Sequence, residues 1–280
     1  MISVNDIICC PVCRGGLDAE LRCRGCGERF ALEDGIYRLV SLKVSDMTEF
    51  TGDKDWDGEY KPGVDQDENG KTYSDYLNEE TKAARDAWAA RFRERLGALR
   101  GNVLDIATGP GSNLRYLLES GGDFRPIATD IFPEELRYAR GRLAAEHGIK
   151  REFAAVATDI KHLAFRAGVM DAATTLGGLQ EVSNSGAAAA EIRRVMKSGA
   201  RLLAMTCAYA RDSASARRAE GFGHLRGVIQ ELLIEDLAAA GFVNISAERV
   251  ARGVLAANPR DLTPVAGDVM YYDIIEAFVK

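Results

Sequence analysis

No apolar run in this 280-residue sequence approaches the ~20 residues that span a bilayer, and the N-terminal stretch lacks the basic start and long apolar segment of an export signal. The expectation is a cytoplasmic protein without a membrane role. Histidine is scarce, with His147, His162 and His224 the only three, so imidazole can carry little of any metal or acid–base chemistry. A basic balance is also missing. The net charge is −6 and the pI about 5.3, which argues against a general nucleic-acid binder. The acidity is concentrated between Ser41 and Glu80, where four Lys/Arg face twelve Asp/Glu. The 46 % hydrophobic and 28 % charged residues are those of a globular chain and exclude wholesale disorder.

Cysteine is nearly absent after the first 26 residues, where five of the six lie; Cys207 is the exception. Without an export signal, metal ligation is the better reading than disulfides. Cys10-Pro-Val-Cys13 and Cys23-Arg-Gly-Cys26 form two CxxC knuckles, with Gly15, Gly16, Gly25 and Gly27 where the backbone must turn sharply. Four thiolates from two knuckles make a closed, structural zinc site, and a metal would stabilise a segment too short to fold by apolar burial alone. Cys9 is the spare, with an exchange of Cys9 for Cys10 left open. A strand, a turn at Asp34-Gly35 and a second strand follow, closing on "DGIYRLV". These forty residues resemble the Trm112-like zinc ribbon, also found at the front of some bacterial methyltransferases such as the rRNA guanine-N1 enzymes. The module is taken as 1–42.

Residues 43–73 have no clear periodicity and read as an acidic linker; alternatively Trp56, Tyr60, Tyr73 and Tyr76 close over a substrate as a lid. From Ser74 the apolar spacing predicts a helix over 74–96, with Trp88 and Phe92 as core residues. Next, Val103, Leu104 and Ile106 form a strand, "ATGPG" a tight loop, and Ser112–Asn113 open a helix: a cradle for a cofactor at the carboxyl edge of a parallel sheet. A dinucleotide loop would want glycine where Leu114 stands, and Asp105 at the strand end disfavours a pyrophosphate. Asp130 ends a second strand and Asp159 follows a third. "DAATTLGGLQEV" reads as a fourth strand starting at Asp171. Strands and helices continue to alternate to residue 280, which implies a doubly wound α/β sheet.

"VLDIATGPGSN" resembles motif I of the class I S-adenosylmethionine-dependent methyltransferases, with Ala107 in place of the first glycine. "EIRRVMKSGARLLAMTC" resembles their helix, turn and fifth strand, with Ser198 and Ala200 as departures and Gly199 kept. The resemblance spans about 75–280, and the domain is taken as 74–280. It implies a seven-stranded Rossmann-like methyltransferase sheet with one antiparallel strand near the C-terminus. It also implies S-adenosyl-L-methionine as cofactor. Motif I then supplies Asp105, Ala107, Thr108, Gly109, Gly111 and Asn113. Asp130 and Ile131 serve the ribose, Asp159 and Ile160 the adenine, and Leu176 the junction of cofactor and substrate.

Catalytic candidates are few: His224, in the irregular stretch after the fifth strand, and Glu181, near the reaction centre. His147 and His162 read as surface residues. Arg211, Arg217, Arg218 and Arg226 could bind an anionic substrate or decorate a solvated helix, and Cys207 reads as a buried small hydrophobe. The leading expectation is methyl transfer by in-line displacement to a small-molecule acceptor. The alternatives are an RNA base methyltransferase, gripping RNA through Arg14, Arg22, Arg24 and Arg29, and a non-catalytic cofactor-binding scaffold.

Overall fold

The computed structural model describes residues 4–47 and 71–280. Trp56 and Tyr60, two of the four aromatic residues of the expected lid, lie outside the described residues. None of the described helices is long and apolar enough to cross a membrane.

Nine strands make one sheet. They are β1 (Ala31–Glu33), β2 (Ile36–Arg38), β3 (Gly101–Ile106), β4 (Phe124–Asp130), β5 (Ala154–Ala157), β6 (Met170–Leu176), β7 (Met196–Ala208), β8 (Phe242–Val254) and β9 (Val269–Val279). Their order is β1-β2-β5-β4-β3-β6-β7-β9-β8. From β5 to β7 all neighbours are parallel; β9 runs antiparallel to both β7 and β8. This is the expected seven-stranded Rossmann-like methyltransferase sheet, enlarged by a hairpin. β2 pairs in parallel with β5, Ile36 opposite Ala155 and Arg38 opposite Ala157, so the cysteine-rich segment continues the main sheet. Ile7, Ile8, Leu21 and Leu39 share a core with Leu104, Ile127 and Phe165. At about 1.5–3 kcal/mol per fully buried large apolar side chain, this docking stabilises the ribbon substantially.

The helices that position the site are α1 (Glu79–Leu96), α2 (Ser112–Glu119), α3 (Pro133–His147), α4 (Ser185–Val195), α5 (Ala214–Gly221) and α6 (Gln230–Ala239). The helix expected from Ser74 is broken. A 3-10 turn spans Tyr73–Tyr76, and α1 starts later because Asn78 caps it through Thr81 N (2.8 Å). Its face of Ala84, Trp88, Phe92 and Leu96 is buried as expected. Trp88 lies edge-on to Tyr272 at 5.3 Å and donates from Nε1 to Asp273 O at 2.8 Å.

Candidate functional site

The carboxyl ends of β3, β4, β5 and β6 open into a cavity of about 200 Å³. Ala107 and Gly109 form its floor; Asp130, Ile131, Asp159, Ile160 and Gly178 are among its walls. Alternation along a parallel sheet explains the convergence, since each strand delivers its last residues to the same edge. The loop after β3 is strongly turned. Ala107 has φ 50°, Gly109 φ 50° and Gly111, which precedes α2, φ 89°. Gly111 also lets the loop approach α3, for a Cβ there would lie 3.0 Å from that of Ala139.

Three carboxylates behave differently. Asp105 is fully buried beneath the loop, accepting from Thr108 Oγ1 (2.8 Å) and the Asn113 side-chain amide. Desolvation pushes its carboxyl up to about 7, with the nearby Asp130 charge adding to the rise. Asp130 accepts from Gly109 N (2.8 Å) and Phe132 N (3.1 Å); desolvation raises it to about 6 against those bonds. Asp159, 1 % exposed, accepts from Lys161 N at 2.8 Å through Oδ1, while its Oδ2 is buried without a partner among the described residues. A buried oxygen without a donor is costly, so the cavity is poised to receive an N–H group there.

Of the expected cofactor contacts, Ala107, Gly109, Asp130, Ile131, Asp159 and Ile160 line this cavity. Asp105, Thr108, Gly111 and Asn113 instead stand behind the loop and hold its shape: Thr108 and the Asn113 amide NH2 are spent on Asp105 and the strands, while Asn113 Oδ1 is buried without a partner among the described residues. Leu176 faces a second cavity. Phe132, Thr158 and Val182 line the first cavity without having stood out in the sequence.

The second cavity, about 250 Å³, is walled by Tyr73, Trp88, Tyr209 and Tyr272, with Arg85 and Cys207 in its lining. Burial pushes the Cys207 thiol up to about 12 and raises the Tyr209 phenol too, so both are neutral. Glu181 borders both cavities. It follows a turn at Gly177 (φ 80°), and desolvation raises its carboxyl while the charge of His224 pulls it back. His224 is 4 % exposed, and its Nδ1 has no partner among the described residues. Gly227 permits this meeting of distant segments: a Cβ there would lie 2.4 Å from Leu179 O. The arginine cluster is structural where it is paired. Arg226 binds Asp236 (2.7 Å) and Arg218 donates to the carbonyls of Asp261 and Pro264.

In the ribbon, the sulfurs of Cys10, Cys13, Cys23 and Cys26 all lie within 4.8 Å of one another. The Cys10–Cys26 and Cys13–Cys23 sulfurs are 3.7 and 3.4 Å apart, near the ~3.8 Å edge of a tetrahedron with ~2.3 Å metal–sulfur bonds. Cys9 is buried outside the cluster, and its N–H donates to Ala164 O at 2.9 Å. Four thiols so arranged fit a tetrahedral metal ion.

Residues 103–199 match the model of a family described as a methyltransferase domain. No curated protein matches the chain significantly. Among solved structures, a Bacillus halodurans protein put forward as a methyltransferase is 16 % identical, with a TM-score of 0.53, covering 68 % of this chain and 97 % of that one. Phosphoethanolamine N-methyltransferase 2 of Haemonchus contortus, bound to S-adenosylhomocysteine, is 17 % identical with a TM-score of 0.51; 68 % of this chain spans about half, 52 %, of that longer one. Geranyl diphosphate C-methyltransferase of Streptomyces coelicolor is 14 % identical with a TM-score of 0.50, over 70 % of this chain and 79 % of the other. The chain thus carries a segment that matches a methyltransferase-domain model, and it shares the fold of these enzymes.

Proposed function

We propose that the protein transfers a methyl group from S-adenosylmethionine to a small-molecule acceptor, with a structural zinc ion in its ribbon. One observation carries the reading: Glu181 is the common wall of two cavities, one with carboxylates suited to a nucleoside and one with aromatic walls. When bound, the cofactor supplies a methyl group activated by its sulfonium.

The protein's own residues do the rest. Asp130 would receive the ribose hydroxyls, and Asp159 Oδ2, without a partner among the described residues, would take the adenine amino N–H. Ile131, Phe132 and Ile160 cover the ring. Ala107, Gly109 and Gly178 let the backbone come close, on a loop shaped from behind by Asp105, Thr108, Gly111 and Asn113; Leu176 flanks the acceptor side. The second cavity would hold the acceptor beside Glu181, next to the cofactor's cavity. Glu181 would accept the acceptor's proton, and the charge of His224 would favour its carboxylate.

The size of the second cavity supports a small acceptor, and so does the way the ribbon spends its charge. Arg14, one of four arginines offered for RNA, is committed to Leu163 O (2.9 Å) and Glu191 (2.8 Å) at the docking surface. The phosphoethanolamine and geranyl diphosphate enzymes show that this fold can house small acceptors.

Calorimetry with S-adenosylmethionine and S-adenosylhomocysteine, followed by tritiated methyl transfer to small-molecule pools and to bulk RNA, tests this. Cofactor binding and label in small molecules are expected. Label in RNA overturns the acceptor class. Cofactor binding with no turnover on either pool points to a scaffold, and binding of neither compound removes the reading altogether.

A further inference from the structure

The described arginines on neighbouring surfaces are almost all matched to carboxylates: Arg95 with Glu248, Arg201 with Glu276 and Arg249 with Asp273. Arg85 is different. It projects from α1 into the aromatic cavity, only partly exposed, with no ion pair or hydrogen bond among the described residues. Its guanidinium carbon lies 5.4 Å from the centroid of the Tyr73 ring. The nearby acids are engaged elsewhere. Asp261 accepts from the Tyr73 hydroxyl (2.9 Å), and Asp273 holds Arg249 and Gln230. Arg260 also borders the cavity, but it has a partner. Glu181, across the cavity, forms no salt bridge with Arg85.

A guanidinium in such surroundings is partly withdrawn from water without a counter-charge among the described residues. An oxyanion presented by a ligand would supply that counter-charge, and the planar fork of arginine matches carboxylate and phosphate edges bidentately. Trp88, Tyr209 and Tyr272 give the cavity neutral, flat walls, and Arg260 and Asp261 add one charge of each sign to its lining. Arg85 is the cation on α1, and Glu181 the acid where the cavity meets the nucleoside cavity.

We propose that the acceptor is a small molecule carrying an oxyanion, either carboxylate or phosphate, which pairs with Arg85 while its body lies against Trp88 and Tyr272 and its nucleophilic end points to Glu181. This rests on the methyltransferase reading of the two cavities. An oxyanion anchored at one end fixes the distance from charge to nucleophile, so Arg85 is a specificity-determining residue and not a catalytic one.

The test is a crystallographic soak of three fragment sets, aromatic carboxylates, aromatic phosphate monoesters and their neutral amide or ester isosteres, with and without S-adenosylhomocysteine. An oxyanion on Arg85 from the first or the second set is expected, and which set binds tells the two chemistries apart. Calorimetry on Arg85→Met should then show at least a tenfold loss for that anionic fragment with unchanged S-adenosylhomocysteine affinity, and Arg85→Lys an intermediate loss. Occupancy by neutral fragments only, or by none, overturns the proposal. So does finding the cofactor's own carboxylate on Arg85, or a loss of S-adenosylhomocysteine affinity in Arg85→Met. A failure of S-adenosylhomocysteine itself to bind, with the fragment result read from the soak without it, instead counts against the methyltransferase reading.

Discussion

Ala107 and Gly178 face each other across the floor of the nucleoside cavity, so closely that a Cβ on Gly178 would stand 2.7 Å from the Ala107 Cβ and 2.6 Å from Thr175 Oγ1. Ala107 replaces a motif glycine yet keeps the left-handed backbone, φ 50°, that glycine adopts freely. Ala107→Gly should therefore stabilise the protein by about 0.5–1 kcal/mol, the left-handed strain of roughly 1–2 kcal/mol less the entropy glycine loses on folding. Gly178→Ala should destabilise by about 1–3 kcal/mol through overpacking and weaken S-adenosylhomocysteine binding. Urea unfolding of both variants checks the signs; a neutral Gly178→Ala would mean the floor is softer than its contacts imply.

Asp159→Asn isolates the unpartnered oxygen. The amide oxygen can keep the bond from Lys161 N, which places its NH2 group where Oδ2 stands. A donor then meets the adenine amino group, also a donor. Affinity for S-adenosylhomocysteine should fall by about 1.5–3 kcal/mol, roughly 10- to 150-fold, with the fold intact. Equal affinities in titration calorimetry would place the adenine elsewhere.

The legible part of this site is local. Asp130 and Asp159 fall at strand ends because each strand is short, apolar and followed by a turn, a pattern visible residue by residue. Asp105 looked equivalent to them, but its neighbours Thr108 and Asn113 draw it beneath the loop, a choice made by side-chain geometry that spacing does not encode. The pairing of β2 with β5 joins Ile36 to Ala155 across more than a hundred residues, and three-residue strands leave no register signal in sequence. The approach of His224 to Glu181 was likewise hidden. Both residues stood out singly, but what unites them is Gly227 packed on Leu179 O, a contact between segments with no shared pattern.

Asp105 should leave a pH signature on stability. Its folded carboxyl titrates at about 7, against about 3.9 in an unfolded chain, so between these values the native state binds the extra proton. The contribution is full below pH ~4 and is lost as the pH rises through about 7. Urea midpoints should therefore fall from pH 5 to pH 7.5. In Asp105→Asn, which cannot titrate, the fall should be shallower; the remainder comes from Asp130, raised to about 6. Parallel curves for the two proteins would show that Asp105 is already ionised when folded.

The ribbon is held in two ways, and they can be separated. Metal ligation would fix Cys10, Cys13, Cys23 and Cys26, while β2 pairing and the Ile8 and Leu39 contacts attach the hairpin to the main sheet. One zinc per chain is expected by elemental analysis, and its loss in a Cys23→Ser/Cys26→Ser variant. Because β5 is also bonded to β4, removal of the metal should act locally. Amide exchange at Ile36–Arg38 should quicken tenfold or more, an opening easier by at least ~1.4 kcal/mol, while β4 keeps its protection. Unchanged exchange in a metal-free variant would mean that docking alone holds the hairpin, and that the four thiols serve something other than its stability.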